Sequence, residues 1–266
     1  VITFHPHPSV VLNPKGKKVK NITPFVEKQA MIQQLGVDRL YIITFDHTLS
    51  QLLPEEFIEH FIVGLHIRHL IAGFDLTFGH KGQGTMENIV SYTKGRLKTT
   101  TIDKVEADDQ KISSTRIRSL IRSGQIEQAN LLLGRPYRMR GKVVKGAQRG
   151  RKIGYPTANL QLEEDVLLPK IGIYAVRVLV NNRSYEGMAS IGHNPTFTNL
   201  RKPSTEINIL DFDQNIYGET IVVDWHHFIR DERKFDGAEA LIQQIEKDEK
   251  MIRDYFSKHN KINERL

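Results

Sequence analysis

Between Gly146 and Asn159 the chain reads Gly-Ala-Gln-Arg-Gly-Arg-Lys-Ile-Gly-Tyr-Pro-Thr-Ala-Asn, which packs three glycines, three cations and a Thr/Asn pair into fourteen residues. That is the composition of a phosphate site. Gly146, Gly150 and Gly154 permit backbone conformations and close approaches that a Cβ forbids, so successive amides can converge on one anion. Arg149, Arg151 and Lys152 add positive charge. Thr157 and Asn159 are separated by one residue, so on an extended segment they present two oxygens to one side, toward a metal or a phosphate. Ordinary solvated loops share this composition. The order of the residues is more informative: a Walker A loop needs G-x-x-x-x-G-K-[ST], and Arg151 stands where its second glycine belongs.

The segment resembles the signature of riboflavin kinases, in which a Gly/Arg loop runs into a tetrad that here is Pro156-Thr157-Ala158-Asn159. The resemblance implies a loop that closes over ATP, with Gly146, Arg149, Gly150, Lys152, Gly154, Tyr155, Pro156 and Asn159 on the nucleotide. It also implies that Thr157 and Asn159 serve Mg²⁺ and the phosphates. Two further segments match the family: Gly187 to Phe197, reading Gly-Met-Ala-Ser-Ile-Gly-His-Asn-Pro-Thr-Phe, and Ser204 to Asp213 followed by Ile216-Tyr217-Gly218. Around Glu206, strand alternation puts Glu206, Asn208 and Leu210 on one face and Ile207 and Ile209 on the other. A lone strand carboxylate is usually a solvated surface group. The resemblance makes Glu206 the general base that takes the proton of the ribityl 5′-hydroxyl as it attacks the γ-phosphorus. It places Asn208, where many relatives have His, and Arg230 beside the flavin. Unaided, Arg230 reads as a solvated arginine in a charge run.

The global bounds are consistent with this. A length of 266 residues suits two ordinary domains, each with its own core. Hydrophobic content of 39% and charged content of 26% describe a globular chain. The absence of cysteine excludes disulfides and thiolate zinc sites, and suits a reducing cytoplasm. There is no apolar run of membrane-spanning length and no signal-peptide pattern at Val1-Ile2-Thr3-Phe4. The net charge of +7 is spread evenly, with 17 Lys/Arg against 13 Asp/Glu up to residue 135 and 21 against 18 beyond it. Neither half is a basic arm, so nucleic-acid binding is a weaker reading than binding of anionic nucleotides. His60, His66 and His69 lack an H-E-x-x-H or other ligand pattern and are assigned to structure.

Up to residue 135, apolar runs at Val1–Phe4, Leu40–Phe45, His69–Gly73 and Thr99–Val105 alternate with helical patterns after Thr23-Pro24, after Pro54 and over Met86–Tyr92. Such alternation predicts a parallel sheet of the nucleotide-binding α/β class, covered on both faces. Two constellations stand at strand ends: Gly73-Phe74-Asp75-Leu76-Thr77-Phe78-Gly79, and Ile112-Ser-Ser-Thr-Arg-Ile-Arg118, where Ser and Thr cap a helix whose amides and Arg118 face an anion. Together they resemble the adenylyltransferase half of bacterial bifunctional riboflavin kinase/FAD synthetases. The resemblance gives Asp75, standing for a frequent Asn, together with Ser114, Thr115 and Arg118 to the FMN adenylyltransferase site. That family's domain begins with a Gly-x-Phe-Asp-Gly-x-His-x-Gly-His turn, and these 266 residues contain none. The expectation is a partial domain, in a chain that makes FMN and does not by itself make FAD.

A Gly134-Arg135-Pro136 break ends a paired-helix pattern, so the expected domains are 1–135 and 136–266. Beyond it the period becomes two. Short strands over Tyr137–Val144, Ile173–Val180, Tyr185–Ile191, Thr205–Phe212 and Glu219–Phe228 predict an antiparallel barrel. A closing helix comes last, opened by Asp236 and Glu239, whose stripe of Leu241, Ile242, Ile245, Ile252, Tyr255 and Phe256 reads as core. The expected activity is riboflavin plus ATP giving FMN and ADP, with Mg²⁺. The alternatives are a kinase with a degenerate adenylyltransferase domain and a nucleotide-responsive nucleic-acid-binding protein.

Overall fold

A computed structural model describes residues 1–13, 19–162, 166–193 and 203–263. The chain forms two compact units: one contains Val1–Val19 and Phe25–Ile112, the other Lys20–Pro24 and Ser113–Leu266. The helices Ser114–Ser123 and Ile126–Leu133 therefore group by packing with the second unit.

In the first unit, β1 (Ile2–His5) pairs in parallel with β2 (Tyr41–Thr44), and β3 (His69–Gly73) pairs in parallel with β4 (Lys98–Ile102). The strands fall where the apolar runs are. Helices lie between them, including Phe25–Gln34 after the Thr23-Pro24 signal and Pro54–Phe57, which continues as a π-helix over Ile58–Val63. Both strand pairs contribute to one core: Ile2, Leu70 and Ala72 pack on Ile58, Ile62, Phe78, Met86 and Ile89. The expected coverage of both sheet faces is not complete. Ile42, Ile71 and Ile102 stay exposed. The helix expected over Met86–Tyr92 is shorter, Ile89–Thr93, because the residues ahead of it form a turn tied by Asn88, whose Oδ1 accepts from the Thr85 amide at 2.7 Å.

The second unit is a closed antiparallel barrel of six strands: β5 (Tyr137–Val144), β6 (Ala158–Leu162), β7 (Gly172–Val180), β8 (Arg183–His193), β9 (Pro203–Ile209) and β10 (Thr220–Arg230). The spatial order is β6-β9-β8-β7-β10-β5, and β5 pairs with β6 to close the ring. Its interior holds Tyr137, Met139, Tyr174, Ile207, Ile221, Val223 and Trp225, all fully buried. Alternation sends the intervening residues outward. The long helix Ala238–Asn263 packs on that outer surface, with Ile252 and Phe256 buried against Ala175, Met188 and Leu210.

Candidate active site

Three sequence-distant segments meet at the barrel wall. The Gly-rich loop leaves β5, makes one short helical turn at Arg149–Lys152 and enters β6. Its glycines are needed for close approach. A Cβ on Gly150 would lie 2.1 Å from the carbonyl oxygen of Tyr155, so the loop could not fold back on itself. That fold is held by the Tyr155 amide, which donates to the Gly150 carbonyl at 2.9 Å. Gly146 touches a different neighbour: a Cβ there would lie 2.2 Å from Nδ2 of Asn159, so the Asn159 side chain rests against the Gly146 backbone.

Strand β6 then sets the direction of the tetrad's last side chains. Asn159 stands directly opposite Glu206 of β9, and Ala158 opposite Ile207. Directly opposed residues share a face of the sheet, so Asn159 and Glu206 project together. Thr157, just before the strand, donates its hydroxyl to Oε2 of Glu206 at 3.1 Å. Asn208, two residues along β9, is buried and donates from Nδ2 to the Pro156 carbonyl at 2.8 Å. The tetrad and the Glu206 strand are thereby tied at two points.

Two cavities open on either side of this tie. One, of about 390 Å³, is lined by Gln148, Arg151, Pro156, Thr157 and the segment Phe212–Tyr217, with Ile207 and Ile209 as its apolar wall. The other, of about 430 Å³, is lined by Arg149, Gly150, Tyr155, Thr157, Glu206, Asn208 and Arg230, and by Leu241, Ile245 and Asp248 of the closing helix. Thr157 is the residue that lines both. The two faces expected for β9 are thus found on separate cavities. Lys152 and Gly154 are exposed and line neither.

Arg230 is not the solvated side chain that its charge run suggests. It is 13% exposed, bonded to Asp248, and its guanidinium sits over the Phe235 ring. Sequence alternation could not place it, because β10 carries two irregularities against β7. Tyr174 pairs with Phe228 and Ile173 with Arg230, so Ile229 is the extra residue of a bulge. A bulge re-aims the strand, and Ile229 and Arg230 both turn toward the closing helix. Leu241 and Ile245, expected as core, form a wall of the cavity, and Ile245 also packs on the buried cluster of Ala175, Met188, Leu210, Ile252 and Phe256. They belong to a helix that begins at Ala238, two residues beyond the expected Asp236 start. Asp248 carries no signal in the sequence, since it is one Asp among the mixed charges of the closing helix. The end of the Gly187–Phe197 motif, Asn194 to Phe197, lies outside the described residues.

The residues expected for adenylyl transfer fall in both units. Asp75 in the first accepts from Lys111 Nζ at 2.8 Å, and that bond holds its carboxyl below the usual carboxylate range. Lys111 also lies over the Phe74 ring. In the second unit Ser113, rather than Ser114 or Thr115, caps the helix, accepting from the Arg116 amide at 3.2 Å. Ser114 and Thr115 are exposed, and Arg118 donates from Nε to the Lys20 carbonyl at 3.2 Å.

Two family models match separate parts of the chain. A riboflavin kinase model matches residues 133–256, and an FAD synthetase model matches residues 1–116. The chain belongs to the bifunctional riboflavin kinase/FMN adenylyltransferases. It is 48% identical to the bifunctional riboflavin kinase/FMN adenylyltransferase of Listeria monocytogenes, over 97% of this chain and 82% of that protein. For the Bacillus subtilis protein of the same description the identity is 44%, over 97% and 82%. A solved structure described as a macrolide-efflux protein from Streptococcus pneumoniae has a TM-score of 0.87 and 38% identity, covering 95% of this chain and 82% of that one. The likeness is one of fold. Among the described residues no helix is long and apolar enough to cross a membrane. As members of this family make FMN and FAD, this chain is a flavin-nucleotide-synthesising transferase that uses ATP.

Proposed function

We propose that riboflavin phosphorylation takes place at the junction of the two cavities, with Glu206 as general base. The observation that carries this is the shared wall at Thr157, whose hydroxyl bonds to the Glu206 carboxylate. A nucleotide on the Gln148–Tyr217 side and a flavin on the Arg230–Leu241 side would present their reacting ends at that wall. Glu206 accepts the proton of the ribityl 5′-hydroxyl as its oxygen bonds to the γ-phosphorus; the bond from that phosphorus to the bridging oxygen breaks and ADP leaves. Phosphoryl transfer asks mainly for positioning and charge stabilisation. Loop amides around Gly150, with Arg149 and Arg230, supply it here. A base at the attacking hydroxyl is worth about 10²- to 10⁴-fold in rate.

The donor set fits Mg²⁺. Thr157 and Asn159 offer neutral oxygens next to the Glu206 carboxylate. Among the described residues no group of three or more His, Cys, Asp or Glu could hold a metal alone. A Mg²⁺ here would take its remaining ligands from water and the nucleotide, as this ion commonly does. When bound, it supplies charge neutralisation of the phosphates. The domains of this reading are 1–135 for adenylyl transfer, with Asp75, Ser114, Thr115 and Arg118 at the nucleotide, and 136–266 for the kinase. A cysteine-free chain suits the reducing cytoplasm.

Product analysis with riboflavin and MgATP, and separately with FMN and MgATP, tests the reading. FMN formed from riboflavin, and lost in Glu206→Gln, is the expected result. Riboflavin left unphosphorylated by folded chain that binds MgATP would overturn it.

A further inference from the structure

Asp248 is a carboxylate with 0% exposure, on the closing helix. A charge at that depth persists only when paired and hydrogen-bonded. Its partner is Arg230: Nε donates to Oδ1 at 2.9 Å and Nη2 to Oδ2 at 2.7 Å. Gln244, one turn earlier on the same helix, donates from Nε2 to Oδ1 at 2.8 Å. Among the described residues, the other polar contact of Arg230 runs from Nη1 to the Asp231 carbonyl at 2.9 Å. A guanidinium carries two N–H groups on each terminal nitrogen. Among the described residues one on each is therefore left over, and Arg230 lines the cavity that Glu206 and Asn208 also line.

Stability alone is a poor reason for this arrangement. Replacing a buried ion pair by packed apolar residues is often neutral or stabilising. Its effect is geometric. Without Asp248, Arg230 would be a long side chain with several rotamers beside an open cavity. With it, the guanidinium plane is set before any ligand arrives, and donors fixed in advance stabilise developing charge best.

We propose that Asp248, braced by Gln244, is a positioning residue for riboflavin phosphorylation, holding Arg230 so that its two unused N–H groups meet the phosphoryl group in transfer. The proposal rests on the assignment of kinase chemistry to this cavity. It couples the closing helix to the rate of the chemical step.

The test is a double-mutant cycle in the full chain with Asp248→Asn, Arg230→Lys and the double variant. The readouts are kcat for FMN formation, KM for MgATP and the thermal midpoint. Expected is a loss of about tenfold or more in kcat for each single variant, since small misplacements of positioning groups cost that much. KM for MgATP should change less than about twofold, and the double variant should be no worse than the poorer single. Should Asp248→Asn fail to fold, Gln244→Leu keeps the ion pair, removes the brace, and should lower kcat about threefold at unchanged KM for MgATP. Multiplicative losses in the double variant, or normal kcat in folded Asp248→Asn, would overturn the proposal, as would a silent Arg230→Lys. Failure of the wider reading looks different: Glu206→Gln then turns over normally, whatever the Arg230/Asp248 cycle gives.

Discussion

The hydroxyl of Thr157 donates to Oε2 of Glu206 across 3.1 Å, and Asn159 stands opposite Glu206 in the strand register. The proposed base and the proposed metal side of the site are therefore one hydrogen-bonded group. This makes the effect of removing either one separable only by the ligand whose use is lost.

Glu206→Gln keeps the shape and the bond from Thr157 but abolishes the basic carboxylate. Turnover of FMN formation should fall by at least about 10²-fold, with ATP binding little changed. Steady-state kinetics beside a nucleotide titration check this. Near-normal turnover would mean that another group or water takes the proton.

Thr157→Ala removes an oxygen from the wall between the cavities. It should weaken MgATP use far more than riboflavin binding, because the flavin keeps Asn208, Arg230 and the apolar wall of Leu241 and Ile245. Parallel titrations with MgATP and riboflavin decide. Equal losses for both ligands would point to a collapsed loop.

Gly146→Ala is a sharper probe of Asn159. The added methyl would sit 2.2 Å from Nδ2 of Asn159, a flexible side-chain end that can swing away at small cost to the fold. The thermal midpoint should hardly move while KM for MgATP rises several-fold. Gly150→Ala meets the backbone carbonyl of Tyr155 at 2.1 Å and should distort the whole loop, lowering activity and stability together. If Gly146→Ala leaves MgATP use intact, Asn159 does not serve the nucleotide.

Much of this was legible in the sequence, for physical reasons. The period-2 strands of the barrel, the faces of β9 and a capped helix start within residues 112–115 come from local chemistry, and the structure has them. Strand β6 is hidden by the Gly-rich loop that precedes it, whose turn residues mask its start. The orientation of Arg230 depends on a bulge at Ile229, which alternation cannot foresee. Asp248 acquires meaning only when a distant strand is brought under its helix. The sites that sequence reading missed are those made by bulges and tertiary pairing rather than by local pattern.

His226 gives a pH dependence with a definite sign. Burial, opposed by Asp224 and assisted by Arg177 and His259, pushes its pKa down to about 4. Its ring packs edge-to-face on Phe256 of the closing helix, and Nε2 has no hydrogen-bond partner among the described residues. The unfolded chain, with an ordinary imidazole near 6.5, binds the proton first. The stability that neutral His226 contributes is therefore full above about pH 6.5 and lost as pH falls toward 4. The thermal midpoint should drop across that window, and His226→Phe should flatten the drop. An equally steep profile in the variant would assign the effect to other groups.

The last prediction concerns Lys20–Pro24, a short strap from early in the chain that packs with the barrel unit rather than with its sequence neighbours. Asn21 forms a parallel bridge with Val166, and its carbonyl accepts the Leu167 amide at 2.9 Å. Thr23 Oγ1 accepts from Arg135 Nη2 at 2.7 Å, and Arg118 holds the Lys20 carbonyl. Between these bonds Ile22 is 8% exposed. Replacing a buried Ile by Ala typically costs about 2–5 kcal/mol, and a unit of this size loses roughly 2–4 °C per kcal/mol. Ile22→Ala should accordingly lower the unfolding midpoint of the barrel unit by roughly 4–20 °C. None of these residues lines either cavity, so kcat of FMN formation at 25 °C should stay within about twofold of the parent. Calorimetry and kinetics on the same preparation check both halves. An unmoved midpoint would show that the strap is not seated in solution, and a large fall in kcat at full folding would show that it shapes the site.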